Sequence, residues 1–414
     1  MKGDAGSGIF YGYLVVAAAF FIMVVVWAAF YSFGVFFKPL LNEFGWTRAM
    51  TSGAFSLSAI IMGVLGIAMG GLNDKLGPRA VMSICGLLVG GGYILMSRLS
   101  DIWQLYLFYG IILGAGMGGG FVPLMTTVAR WFVKRRGAMT GIIAAGIGIG
   151  AMVGPPLANR LILAYGWRLS YLVIGATVLI IMVLSAQILR RGPSRENTSA
   201  NGEDKNCRDP LHQGSGGLSS AAALRTRRFW TFFGMIICFG FCVFSIMVHL
   251  AAHTMELNIS SASAANILAT VGGLSIIGKL LLGRRVDIIG SRKVFIIGFI
   301  LMSAALIWLV PAGKGWMFFV FAIFFGFAYG GCVSAESPLV AELFGLDSHG
   351  LILGFVSFGF TIGGALGPWL TGHIFDITHS YRLAFILCAI LSALGLILTL
   401  ALGHRRIRAP RNDP

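Results

Sequence analysis

Three ionisable side chains interrupt long apolar stretches in the second half of the chain. Lys279 lies in SIIGKLLLG, Glu336 in CVSAESPLV and His249 in SIMVHLAAH. A charged side chain inside a membrane costs roughly 2.5 to 3.5 kcal/mol on insertion scales, so such residues usually pair or line a water-filled cavity. The lysine offers a binding site for an anion. The carboxyl and the imidazole can each carry a proton.

Each of these residues also has a structural interpretation that the sequence leaves open. Lys279 lies near the end of its apolar run and could extend its ammonium to the membrane surface. Because helical side chains tilt toward the helix N-terminus, we expect it to point toward the membrane midplane instead. Glu336 could form an ion pair with Lys279, and His249 could be a packed hydrogen bonder. We predict Lys279 as a substrate ligand, Glu336 as a proton-coupling residue and His249 as a candidate for both roles.

The composition indicates which elements must position these residues. Of 414 residues, 57% are hydrophobic and 11% are charged, whereas an ordinary soluble domain is about 25% charged. Runs of about 20 apolar residues are long enough to cross a bilayer as helices. Such runs lie near 10–37, 49–70, 79–98, 103–127, 138–164, 168–189, 229–253, 262–284, 293–311, 316–340, 349–373 and 381–403. The sequence therefore predicts an all-α membrane protein with twelve transmembrane helices.

The apolar runs divide six and six around a polar segment that is rich in Ser, Gly, Asn and charge, which is typical of a flexible linker. We predict an N-terminal six-helix bundle over 1–189, a cytoplasmic linker over 190–228 and a C-terminal six-helix bundle over 229–414.

The distribution of positive charge predicts the orientation. Most of the 31 lysines and arginines fall in alternate connecting segments, together with the linker and the two termini. Cytoplasmic loops carry such an excess, so we expect an integral protein of the inner or plasma membrane with both termini in the cytoplasm. This topology, with anionic lipid at the inner surface, accounts for the net charge of +16 without a nucleic-acid partner.

The two halves form a repeat at a constant spacing of 213 positions. Gly70, Asp74, Gly77 and Arg79 match Gly283, Asp287, Gly290 and Arg292, and further identities link Gly137, Gly141, Gly146, Gly150, Gly154 and Pro155 with Gly350, Gly354, Gly359, Gly363, Gly367 and Pro368. Duplicated bundles suit a protein that rocks one half against the other around a site near the membrane midplane. The repeat therefore favours a transporter over a channel.

Glycines dominate the most patterned stretch of the chain, residues 131–157. Gly146, Gly150 and Gly154 recur every four residues, so they share a helix face on which a neighbouring helix can approach backbone to backbone. We expect this face to be the surface on which the two halves move against each other.

A known family shares these patterns. The segments GGLNDKLGPR at 70–79 and GRRVDIIGSR at 283–292 resemble the loop signature of the major facilitator superfamily, Gly-x3-Asp-x2-Gly-x-Arg, and the resemblance covers the whole chain. WFVKRRGAMTGIIAAGIGIG at 131–150, FGVFFKPLLNEFGW at 33–46 and GWRLSYLVIG at 166–175 resemble the monocarboxylate porters and the oxalate/formate antiporters. The resemblance implies two pseudo-symmetric six-helix bundles.

The resemblance also implies a role for Lys279. In the monocarboxylate porters, helix 8 carries an arginine at the spacing that Lys279 has here from Gly283 and Asp287. Lys279 should therefore hold the substrate carboxylate, with a compact ammonium where the family has a planar guanidinium. The family's acid one turn earlier is Ser275 here, so Glu336 is the candidate replacement.

Aromatic residues complete the predicted substrate site. The resemblance aligns a lysine of the family's helix 1 with Tyr31 and an aromatic residue with Trp27. We predict Tyr31 and Tyr329 as hydroxyl donors to a small polar ligand, with ordinary packing as the alternative. Trp27 is predicted as packing or pocket wall, and Met117 and Phe121 as the opposite apolar wall.

Asp74 and Asp287 are predicted as latch residues. Each lies at a helix end among basic residues, where an ion pair between the two halves would stabilise the outward-open state and break on the inward swing. Together with Arg79, Arg292 and Arg135 they form the predicted gating set.

These observations predict a secondary transporter of small monocarboxylates such as lactate, pyruvate or acetate, moving with a proton. Exchange of organic anions and ligand sensing by a receptor without net flux are the alternatives. The sequence carries no nucleotide-binding loop, metal-ligand spacing or soluble domain, so we expect no enzyme activity, cofactor, metal or obligatory protein partner. The six cysteines are expected to be packing residues without a disulfide.

Overall fold

The computed structural model describes residues 11–132, 136–190, 219–345 and 349–402. Within these ranges the regular elements are helices, which confirms the predicted all-α class. In chain order they are α1 (Tyr11–Tyr31), α2 (Phe33–Phe44), α3 (Arg48–Leu76), α4 (Pro78–Met96), α5 (Ile102–Leu105), a π-helical stretch (Tyr106–Leu113), α6 (Gly114–Gly118), α7 (Val122–Trp131), α8 (Arg136–Ile188), α9 (Ser220–Leu224), α10 (Arg227–Glu256), α11 (Ser261–Ile289), α12 (Ser291–Leu309), α13 (Gly315–Phe344), α14 (His349–Thr378) and α15 (Arg382–Ala401).

Helix length supports twelve membrane crossings. Within the described ranges, 11 helical segments are long and apolar enough to cross a membrane, and one of them, Met139–Ile188, has 50 residues. A straight helix of that length would measure about 75 Å, against an apolar core about 30 Å thick. Gly166 inside it has φ 76° and ψ 164°, which is not helical. The segment therefore turns there and crosses twice, so the described part of the chain has the twelve predicted crossings.

The repeat has a structural counterpart at the ends of α3 and α11. Gly77 ends α3 with φ 87° and ψ 162°, and Gly290 ends α11 with φ 87° and ψ 148°. Glycine adopts a positive φ at little cost, whereas a side chain would strain the backbone there. Both glycines let the chain reverse direction into the next helix, which explains why glycine occupies this position in both halves.

The glycine face of α8 packs inside its own bundle. A methyl group added at Gly150 would lie 2.6 Å from the carbonyl oxygen of Val24 and 2.7 Å from the backbone nitrogen of Ala28, both on α1. At the matching position of α14, a methyl group on Gly363 would lie 2.6 Å from the backbone nitrogen of Phe241 on α10. The predicted backbone approach is confirmed. The prediction that the halves move on the glycines of this stretch is wrong for Gly146, Gly150 and Gly154, because their face joins helices of one bundle.

Other small residues bring the two bundles together. The bundles meet where α3 packs on α14, α8 on α11, and α2 on α10. Between α8 and α11, a methyl group on Gly148 would lie 3.2 Å from the Ser275 hydroxyl, and one on Gly272 would lie 2.5 Å from the Met152 backbone nitrogen. On α8, the face that carries Gly148 therefore contacts the other bundle.

Candidate functional site

Lys279 lies on α11 with its ammonium in the protein interior. Nζ is buried and has no hydrogen-bond partner among the residues that the structure describes, although the stem of the side chain is partly exposed. The lysine therefore does not extend to the surface, as the snorkelling alternative would require. Nζ lies 5.9 Å from the centre of the Tyr329 ring on α13. Gly330 allows this approach, because a methyl group there would lie 2.9 Å from the Lys279 backbone nitrogen.

Tyr31 and Tyr329 join the two bundles beside this ammonium. Their hydroxyl groups, from α1 and α13, form a buried hydrogen bond of 2.9 Å. The Trp27 ring packs against that of Tyr31 with centres 5.4 Å apart. Trp27 Nε1 is buried and has no acceptor within the described ranges. The structure thus brings Trp27, Tyr31, Tyr329 and Lys279, all four of them residues that the sequence singled out, into one set, named here the Lys279 group.

Donors outnumber acceptors in the Lys279 group. The ammonium offers three N–H donors and the indole one, and the described residues provide an acceptor for none of them. An unpaired buried donor costs desolvation free energy, and an unpaired buried charge costs more. A carboxylate carries a negative charge and only acceptor sites, so it complements each of these unpaired donors. The arrangement is therefore suited to binding a small organic anion.

Glu336 lies on the same helix as Tyr329 but makes a different contact. The spacing of seven residues places it about two turns, or roughly 10 Å, further along α13. Its Oε1 accepts a hydrogen bond of 3.0 Å from the Ser357 hydroxyl on α14. Within the described part of the chain, no ion pair joins Glu336 to Lys279. The alternative of a direct ion pair is therefore wrong, and sequence reasoning missed Ser357 because a lone serine in an apolar helix gives no signal.

The apolar wall predicted on the fourth crossing is interrupted. Met117 is buried in α6, whereas Phe121 is 39% exposed in the break between α6 and α7, where its φ is −123° and its ψ is −65°. A methyl group on Gly120, in the same break, would lie 3.6 Å from Val26 of α1, the residue before Trp27. The break therefore lies beside the Lys279 group, where transporters often place discontinuous helices.

His249 forms its hydrogen bonds in a second polar cluster. The ring is fully buried, with Nε2 2.8 Å from the Pro368 carbonyl oxygen and Nδ1 3.1 Å from the Tyr381 hydroxyl. Tyr381 in turn accepts a hydrogen bond of 2.7 Å from Arg48 Nη1. Both ring nitrogens of His249 are therefore occupied by protein groups, and the imidazole is not presented alongside the Lys279 group.

Arg48, at the start of α3, is the centre of this second cluster. Its guanidinium forms an ion pair with Glu256 of α10 and lies 3.8 Å from the centre of the Phe375 ring. The backbone N–H groups of Arg48 and Ala49 donate to the two carboxylate oxygens of Asp376, at 2.9 and 2.8 Å. Asp376 thus caps a helix of the other bundle, where a negative charge is favourable. Arg48, Glu256, Asp376, Tyr381 and His249 are named here the Arg48 cluster.

The sequence analysis did not single out Arg48 and missed this cluster. A signal was available, because the helices predicted to end near Glu256 and Asp376 reach the same membrane surface as Arg48. Which acid meets which base depends on helix packing.

The predicted gating arginines lie at the opposite end of the molecule, where Gly77 and Gly290 end α3 and α11. Arg79 Nε donates to Gln187 Oε1 on α8 at 2.5 Å. Arg292 Nε donates to the Thr399 carbonyl oxygen on α15 at 3.0 Å. Both arginines therefore contact the last helix of their own bundle, at matching positions of the repeat.

A hydrogen bond joins the two bundles at the Tyr31–Tyr329 pair, and further hydrogen bonds and an ion pair join them at the Arg48 cluster. The side chains of Asp74 and Asp287, and the whole of Arg135, lie outside the described residues.

Comparison with known proteins gives one family and consistent relatives. Residues 19–275 and 251–414 match the Major Facilitator Superfamily. The chain is 28% identical over 394 residues to monocarboxylate transporter 13 of Rattus norvegicus, covering 94% of this chain and 89% of that protein. It is 25% identical over 446 residues to monocarboxylate transporter 7 of Homo sapiens, covering 94% and 85%.

Solved structures share the fold. A bacterial homolog of the human lysosomal transporter Spinster, crystallised in an inward-facing and unoccupied conformation, matches with a TM-score of 0.78 and 15% identity. The match covers 97% of this chain and 98% of that one. At this identity the likeness concerns the fold alone.

Proposed function

This chain belongs to the major facilitator superfamily and resembles its monocarboxylate branch, and on that basis we propose that it carries small monocarboxylates across a membrane together with a proton. One observation carries the proposal. Lys279 Nζ and Trp27 Nε1 are buried side-chain donors that lack a protein acceptor within the described ranges. A carboxylate supplies the missing acceptors, and the one cation of the Lys279 group matches one carboxylate. The named relatives are monocarboxylate transporters, which supports the same substrate class.

Charge balance links the anion to a proton. In the empty site, a charged Lys279 and an ionised Glu336 sum to zero. When the anion binds, the sum returns to zero only if Glu336 takes up a proton. An anion or a proton bound alone leaves one net charge, which is costly to move through an apolar protein interior. The two neutral forms are therefore the ones that change conformation, and each cycle moves one anion with one proton.

Alternating access assigns a role to each end of the molecule. The contacts of the Arg48 cluster favour a state that is closed at the Arg48 end and open at the Gly77 end. The lysine and arginine excess supports a cytoplasmic location for the Gly77 end. With this orientation, the state is inward-facing. In the opposite state, Asp74, Asp287 and Arg135 would close the cytoplasmic side.

Reconstitution in proteoliposomes tests the function. An acid-outside gradient should drive accumulation of labelled lactate, pyruvate or acetate above the level in protein-free liposomes, which measures permeation of the neutral acid. Uptake that needs an anion trapped inside and ignores the pH gradient would identify an exchanger instead. If no carboxylic acid is transported while carboxylates still raise the Tm, the protein is a receptor and the transport proposal fails.

A further inference from the structure

The Arg48 cluster is the main polar connection between the bundles at its end of the molecule and takes no part in the proposed substrate site. From the N-terminal bundle, Arg48 reaches Glu256 at the end of α10, Asp376 near the end of α14 and Tyr381 just before α15. The bundles can separate at this end only if all these contacts break together. The Glu256 and Arg48 side chains are 26% and 14% exposed, so solvent reaches the cluster from this side.

The hydrogen bonds of the cluster have a fixed direction. The Pro368 carbonyl oxygen can only accept, so His249 Nε2 donates to it. In a neutral ring Nδ1 is then an acceptor, and the Tyr381 hydroxyl donates a hydrogen bond to it. The Tyr381 oxygen in turn accepts from Arg48 Nη1. Every donor and acceptor along this path is satisfied when His249 is neutral.

A second proton on His249 would disrupt this path. Nδ1 would become a donor facing the Tyr381 oxygen, which already accepts from Arg48, and the Tyr381 proton would lose its acceptor. Two positive groups would then flank one hydroxyl in a buried place, where repulsion is weakly screened. Protonation of His249 therefore opposes the contact between Tyr381 and Arg48.

The surroundings of His249 offer little compensation for such a charge. Its charged and titratable neighbours are Arg48 on α3, His253 and Glu256 on α10, Asp376 on α14, and Tyr381. Both oxygens of Asp376 bind the start of α3, and Glu256 pairs with Arg48. From α2, the Phe37 ring packs against His249 with centres 4.9 Å apart. The next residue, Lys38, lines a recess with Asn42, Asn159 and Met255, and its positive charge lies close enough to repel that of Arg48.

We propose that the Arg48 cluster is an outer gate that stays closed only while His249 is neutral, so that external acid opens it. Arg48 holds the two bundles together, and His249 acts as a positioning residue through Tyr381 without touching substrate. The inference rests on the orientation and alternating access of the proposed function but not on the identity of the substrate. Such a gate would expose the proposed substrate site to the outside when the external pH is low.

Ser52 provides a reporter of gate opening. It lies one turn inside Arg48 on α3, is fully buried, and donates to the Arg48 carbonyl oxygen at 2.7 Å. In a full-length Ser52→Cys protein, a membrane-impermeant maleimide added outside should label this position only when the gate opens. The native cysteines within the described ranges are buried, and the remaining one, Cys207, is replaced by serine.

Because the thiolate is the reacting species, each labelling rate is divided by that of the same protein denatured at the same pH. This normalised rate should rise about tenfold when the external pH falls from about 7.5 to about 5.5, the range in which an exposed histidine titrates. His249→Gln keeps a donor for Pro368 but cannot titrate, so its normalised rate should not change with pH. Arg48→Gln should have a high normalised rate at both pH values. Arg98→Gln is the matched control and should behave like the parent, because Arg98 is an exposed arginine that follows α4 at the same end of the molecule.

A pH response retained in His249→Gln would assign the titration to His253, Glu256 or Asp376 and overturn the role of His249. Labelling of Arg48→Gln at the parental rate would overturn the gate. If His249→Gln folds poorly, Tyr381→Phe serves as the second variant, because it removes the hydroxyl between ring and guanidinium and should also abolish the pH response. Labelling needs no substrate, so the proposed gate can be supported even if carboxylate uptake is not observed. Carboxylate uptake can likewise be observed even if labelling contradicts the gate.

Discussion

Lys279 and Trp27 present buried donors that no residue of the described ranges accepts. We expect Lys279→Gln to lower carboxylate affinity roughly 10- to 100-fold, because a charge-assisted hydrogen bond contributes about 1.5 to 3 kcal/mol. The ligand-free variant should be at least as heat-stable as the parent, since the substitution removes an unpaired buried charge. Thermal shift with a panel of carboxylates measures both effects.

Lys38→Gln is the matched control for that experiment, because Lys38 lines a recess formed by α2, α8, Met255 and Ser261 and none of the residues of the Lys279 group. It should leave carboxylate affinity unchanged. Unaltered affinity in Lys279→Gln would exclude the Lys279 group as the binding site. A large loss of stability would show that Lys279 has a structural partner outside the described residues.

Glu336 is proposed to hold the transported proton. Glu336→Gln fixes a neutral side chain there, so the anion-loaded site is neutral at every pH while the empty site keeps one positive charge. We expect exchange of carboxylates across the membrane to continue and accumulation driven by a pH gradient to be lost, as measured by labelled lactate in proteoliposomes.

Glu342→Gln provides the comparison on the same helix. Glu342 accepts hydrogen bonds from the backbone nitrogen and hydroxyl of Ser291, at 3.1 and 2.8 Å, and so caps α12. This variant should keep gradient-driven accumulation. Normal accumulation in Glu336→Gln would mean that the proton is carried elsewhere.

At the scale of the elements, the contact of α8 with α1 depends on the absence of side chains. Gly150→Ala would push a methyl group to 2.6 Å from a carbonyl oxygen of α1, and overpacking of this kind typically costs about 1 to 3 kcal/mol. We expect a Tm lower by several degrees and reduced transport, measured on the purified protein and in proteoliposomes.

Gly141→Ala is the control on the same helix. An added methyl group at Gly141 has no heavy atom of the described residues within 4 Å. Replacing one glycine by alanine inside a helix otherwise favours the helix. If both variants lost the same stability, the close packing of α8 on α1 would not be the cause.

At the scale of the whole molecule, the orientation can be tested with a native residue. Cys207 is the one cysteine of the predicted linker. With both termini in the cytoplasm, a membrane-impermeant maleimide should label it in inside-out vesicles and not in intact cells. The Cys207→Ser variant measures background labelling. Labelling from outside would invert the topology and place the Arg48 cluster at the inner surface.

Several features of the whole molecule could be read from the sequence because they are local properties of the chain. Apolar length fixes how many times the chain crosses, and the twelve predicted runs correspond to the observed crossings. The constant offset of the repeat predicted two related bundles, and it paired Gly77 with Gly290, whose positive φ values are equal. The loop signature predicted the family, which the family match confirms.

The pairing of side chains required the tertiary structure. Lys279 and Glu336 both stood out as charges in apolar runs, yet only helix packing decides that Glu336 meets Ser357 and that Lys279 meets no acid within the described ranges. Arg48 and Asp376 are 328 positions apart in the chain. The sequence around a charged residue at a helix end does not indicate whether its side chain faces water or another bundle.

The sequence by itself therefore determined the fold class, the number of crossings, the internal repeat and the polar residues that lie within apolar runs. Each of these follows from the length of apolar runs and the positions of charges, which are local properties of the chain. Only the tertiary structure decided that the glycine face packs α8 against α1, that the Lys279 ammonium is buried without an acceptor from the described residues, and that Arg48 joins the two bundles. These outcomes depend on how helices distant in sequence are rotated and packed against one another, which sets every distance between them.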